Sequence, residues 1–140
     1  MCDSELGEEE KKILDRLLTD EVETLKNLVN KAEKYLKISK HTGEPIINLP
    51  REKISMKDLV ALHVAGRYFA FKLGLTSTET ITLEELKNKT GISNEKLLAA
   101  RVSELRKEGL IEYVRKGVYR ISLPNLSRFF DQLGEKYGSK

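Results

Sequence analysis

Cysteine occurs once in the 140 residues, as Cys2, and tryptophan is absent. A single thiol excludes an intramolecular disulfide, and no cysteine cluster can hold a zinc ion. The two histidines, His41 and His63, have no partners at metal-ligand spacing, so no metal and no cofactor is expected. No apolar run reaches the roughly 18 residues that a membrane span needs. The first residues, MCDSELGEEEKK, are acidic and polar, unlike a signal peptide. The expectation is a soluble, cytoplasmic chain without membrane contact. Also missing is a phosphate loop with a Gly-Lys-Thr/Ser ending, and the carboxylates are dispersed along helical surfaces. Those absences argue against an enzyme.

What the chain has is charge, at 34% of residues, with 39% hydrophobic residues, enough for one modest core plus an appendage. The net charge of +3 hides an asymmetry. Residues 1–50 hold 8 Lys and Arg against 11 Asp and Glu, a net of −3, whereas residues 51–140 hold 17 against 11, a net of +6. Positive charge collected in one segment is the electrostatic footprint expected of a phosphate-binding surface.

Residues 8–37 contain neither proline nor glycine, and Leu14, Leu18, Val22, Leu25, Val29, Ala32 and Leu36 recur at steps of three and four. The spacing predicts one amphipathic helix from about Gly7 to Lys37, with Glu8, Glu9 and Glu10 favoured at its N-terminus by the helix dipole. At about 1.5 Å per residue such a helix outreaches the small domain beside it, so its stripe needs a further partner. A second copy of the chain is the preferred one, and a bend back onto the same domain is the other. Apolar alternation on both sides of His41-Thr42-Gly43 makes residues 39–52 either a linker or part of a short β-hairpin. Ser55 caps the next expected helix, Met56–Leu73, with Asp58 as its capping-box acid and Gly74 as its stop. His63, inside that apolar helix, is expected buried and hydrogen-bonded.

From Thr80 to Ser122 the chain reads TITLEELKNKTGISNEKLLAARVSELRKEGLIEYVRKGVYRIS. It predicts a short strand, a helix capped by Thr82 with Glu85 as reciprocal partner, a turn through Gly91, and a second helix from Asn94 to Glu108 capped by Ser93. A strand Leu110–Arg115 then turns at Lys116-Gly117 and returns as Val118–Ser122, before a final helix with Leu126, Phe129, Phe130 and Leu133. The TGIS turn and the ending LRKEGLIEYVRKGVYRIS resemble the winged helix-turn-helix of small bacterial and archaeal transcription regulators. The expected fold is mainly α, of α+β class. It comprises an N-terminal helix (1–38, a candidate for dimerisation), the segment 39–52, a winged-helix domain (53–123), and a C-terminal helix and tail (124–140).

The resemblance implies sequence-specific binding of double-stranded DNA by a homodimer, with helix 94–108 in the major groove and the 110–122 wing on the backbone. On that helix Leu98, Val102 and Leu105 should face inward, while Lys96, Ala100, Ser103 and Lys107 face out, with Arg106 beside them. The expected contact set is Ser93, Asn94, Lys96, Ala100, Ser103, Arg106, Lys107, Arg115, Lys116 and Arg120, with Asn94 as candidate reader of adenine. Glu95, Glu104 and Glu112 count against it, since each would repel phosphate. The alternative is a winged-helix module that docks onto other proteins of a larger machine.

Overall fold

A computed structural model describes residues 7–17 and 21–137 of the chain. Among them the fold is α+β, with six helices and two small antiparallel sheets. The N-terminal segment forms α1 (Glu8–Asp15) and α2 (Glu21–Ala32), then a hairpin of β1 (Leu36–Ile38) and β2 (Pro45–Ile47). The central helix α3 (Met56–Lys72) follows. Then come β3 (Ile81–Thr82), α4 (Leu83–Thr90), α5 (Glu95–Lys107), β4 (Glu112–Arg115), β5 (Val118–Arg120) and α6 (Leu123–Tyr137).

The core is built around α3. Ser55 Oγ accepts the Asp58 N–H at 3.1 Å to start it, and Gly74, in the left-handed region at φ 78°, follows its end. Between those signals every residue from Asp58 to Gly66 is buried, because α4, α5 and the first hairpin cover different sides of the helix. Gly66 is required by that packing: a Cβ there would lie 2.8 Å from Pro45 Cβ, so only glycine lets β2 come this close. Leu86 of α4, Leu98 and Leu105 of α5, and Leu126 and Leu133 of α6 complete a core with no exposed surface. The second sheet has strand order β3-β5-β4, with Ile81 opposite Tyr119 and Tyr113 opposite Tyr119 on its other side. Arg67, reaching from α3, donates to Thr80 O at 2.7 Å and to Glu85 at 2.9 Å, fastening this sheet and α4 to the core.

The single helix expected from Gly7 to Lys37 is not formed. The helical segment is divided into α1 and α2 and ends at Ala32, while Leu18 of the predicted stripe lies outside the described residues. The physical reason at the C-terminal end is competition from the hairpin. Tyr35 and Leu36 turn inward to become 5% and 4% exposed, Tyr35 O accepts the Asn48 N–H at 2.7 Å, and Leu36 pairs with Ile47. Residues 36–38 thus belong to a strand, and the 39–52 segment holds the second strand rather than a plain linker.

Two local expectations on α3 also change. The Asp58 carboxylate does not complete a capping box; it accepts from Lys136 Nζ at 3.0 Å and Tyr137 Oη at 2.9 Å, tying α6 across the start of α3. His63 is buried as expected, but its Nδ1 has no hydrogen-bond partner among the described residues. Burial, assisted by the nearby positive charge of Lys89, pushes the imidazole pKa down to about 4.

Candidate nucleic-acid interface

The predicted contact residues are held by α5 and the β4–β5 hairpin. Thr82 Oγ1 accepts the Glu85 N–H at 3.0 Å and Glu85 Oε1 accepts the Thr82 N–H at 2.9 Å, the reciprocal box the sequence implied. Burial pushes the Glu85 carboxyl up, but the Arg67 and Thr82 hydrogen bonds outweigh it and hold the group below its ordinary range. Gly91, at φ 76°, turns the chain between α4 and α5, and Ile92 drops into the core. The cap of α5 is Asn94 rather than Ser93: Asn94 Oδ1 accepts the Leu97 N–H at 3.1 Å. That bond engages the same oxygen that a bidentate adenine contact uses, leaving the Nδ2 donors as the free part of the side chain.

Along α5 the predicted division of faces is present. Leu98, Val102 and Leu105 are buried, while Lys96, Ala99, Ala100, Ser103, Arg106 and Lys107 are exposed. Arg115 and Lys116 are exposed at the hairpin tip, where Gly117 (φ 73°) closes the turn. The hairpin is joined to α5 by a contact the sequence reading missed: the Arg106 guanidinium lies 4.6 Å from the centre of the Tyr113 ring. Tyr113 in turn meets Tyr119 edge-on at 6.1 Å, with Tyr119 buried and Tyr113 half-exposed. Arg106 is therefore steadied between helix and sheet, bordering a shallow notch with Ser103 and Lys107.

The acids counted against phosphate binding are each taken by a local cation. Glu95 pairs with Lys87 at 2.8 Å, Glu104 with Arg101 at 3.0 Å, and Glu112 with Arg120 at 3.0 Å. The Lys87–Glu95 hydrogen bond holds the carboxyl below and the ammonium above its ordinary range, so both stay charged at neutral pH. Arg120 differs from the other predicted cations, because it also reaches Glu79 at 3.4 Å and so serves two carboxylates. By contrast, Lys96, Arg106, Lys107, Arg115 and Lys116 make no ion pair among the described residues.

Among the described residues no group of three or more His, Cys, Asp or Glu side chains could hold a metal ion, and no helix is long and apolar enough to cross a membrane. No protein-family model matches the chain, nor does any curated protein or solved structure.

Proposed function

We propose that this chain is a winged helix-turn-helix protein that binds double-stranded DNA and regulates transcription. In this reading α5 lies in the major groove and the β4–β5 hairpin is the wing, set against the phosphate backbone. One observation carries the reading. On these two elements the acids are neutralised by neighbours, while Lys96, Arg106, Lys107, Arg115 and Lys116 make no ion pair among the described residues. Small residues at Ala99, Ala100 and Ser103 stand between the basic ends of α5, where the helix must approach the DNA closely. Lysines and arginines at both ends then reach phosphates on either side of the groove, which fixes orientation without specifying sequence. Pairing of two chains through the N-terminal segment would present two such helices to a partly symmetric site.

The experiment is fluorescence anisotropy of the Arg115→Ala/Lys116→Ala variant on unrelated duplexes. Affinity should fall by a similar factor on every sequence, and the slope of log affinity against log salt should shrink by about two. An unchanged slope removes the hairpin from the DNA contact. A second reading, a winged helix that docks onto another protein, is favoured by the exposed apolar side chains Ile13, Leu17, Leu25 and Leu73.

A further inference from the structure

Two apolar surfaces have no partner among the described residues. The first is on α1, where Ile13, Leu14 and Leu17 just beyond its end are 60%, 45% and 81% exposed and no residue is buried. A helix of eight residues is too short to hold its shape alone in water. Its cap, in which Glu10 Oε1 accepts the Gly7 N–H at 3.0 Å, offsets only a small part of that cost. Such a helix needs a surface to lie on.

The second surface is a groove of about 310 Å³ between α2, β1 and the C-terminal end of α3. Leu25, Val29, Leu36, Phe69 and Leu73 line it, and Leu73 is 64% exposed. Lys37 and Lys72 stand among the lining residues with Glu33 as the single acid. The charge on α1 is complementary. Glu9 and Glu10 precede Ile13 and Leu14 by four residues, so they extend the apolar side of that helix by one turn, toward cations at the groove. Only residues 16–20 separate α1 from α2, yet no residue of α1 lines the groove of its own chain and none is buried.

We propose that the occupant of the groove is α1 of a second copy of this chain, seated by Ile13, Leu14 and Leu17. Each protomer gives its α1 and receives its partner's, so two identical contacts close the pair about a two-fold axis. This deepens the self-association reading above and is independent of DNA binding.

Light scattering on the full chain should give twice the 16.0 kDa of one chain. Leu17→Glu and Leu73→Glu, on opposite sides of the contact and both at exposed positions, should each halve that mass with an unchanged circular dichroism spectrum. In a Cys2→Ser background, Leu17→Cys with Leu73→Cys should oxidise to covalent dimers. A monomeric parent sinks self-association and exchange together. A dimeric parent whose mass Leu73→Glu leaves unchanged sinks the exchange alone. A disulfide closed within one chain, or none formed in a dimeric protein, also overturns the proposal.

Discussion

The unit from α3 to α6 and the arm ahead of it treat water in opposite ways. The unit hides most of its apolar residues and leaves cations outside: Leu86, Leu98, Leu105, Leu126 and Leu133 are fully buried and Lys96, Lys107, Arg115 and Lys116 are exposed, with Leu73 at the end of α3 the largest apolar exception at 64%. The arm does the reverse along much of its length, leaving Ile13, Leu17, Leu25 and Val29 exposed beside acidic residues. One region offers charge at its surface. The other is fastened by its hairpin against α3, where Pro45 meets Gly66, and by α2 against α6, with Tyr35 stacked 6.3 Å from Phe130 and Lys31 paired to Asp131 at 2.9 Å. Its remaining apolar surface gains nothing until something covers it. The two surfaces therefore suit different partners and answer to salt differently: screening weakens contacts made by exposed charges and leaves apolar burial in place.

The sharpest test of that contrast is a pair of alanine substitutions. Phe129 is 1% exposed between α6 and the core, so Phe129→Ala should lower unfolding free energy by about 4 kcal/mol. Leu17→Ala removes a smaller apolar group from a site 81% exposed, and should change the stability of the isolated chain by less than about 0.5 kcal/mol. Urea titrations below the concentration of self-association measure both, and equal losses would break the distinction between the regions.

A smaller effect should come from acid. His63 is neutral in the folded state down to about pH 4, whereas an unfolded histidine gains a proton near pH 6.5. Between those values the unfolded chain binds more protons, so stability falls as pH falls through this window. From pH 7 to 4.5 the loss assigned to His63 is on the order of 2 kcal/mol, and His63→Met should remove most of it. Denaturation curves at the two pH values check this. Parallel losses in parent and variant would place the acid sensitivity elsewhere.

Patterns confined to a few neighbouring residues were legible in the sequence. Thr82 with Glu85, the Gly91 turn, the Leu98–Val102–Leu105 stripe and the Lys116-Gly117 turn all lie where local periodicity and turn chemistry put them. The arm was less legible because Tyr35-Leu36-Lys37-Ile38 satisfies two periods. Leu36 extends a helical stripe counted from Val29 and Ala32, and it equally begins a strand alternating with Ile38. Pairing with Ile47 decided between them, and that partner lies eleven positions on. At the candidate interface, residue types on a face could be read, but the charge remaining there could not. Glu95 is taken by Lys87 from α4, and Arg120 finds Glu79 from 41 positions away. The Arg106–Tyr113 contact joins a helix to a strand across the turn at Gly109, which periodicity within either element cannot reveal.

Contact between phosphate and the cations of α5 and the hairpin that make no ion pair among the described residues is tested by the anisotropy of the intact protein with a labelled random duplex from about 50 to 200 mM salt. With five such cations engaged, binding should weaken steeply, with a log–log slope of about −4 to −5. A complete lack of binding at the lowest salt, or affinity that does not change across the series, would contradict it.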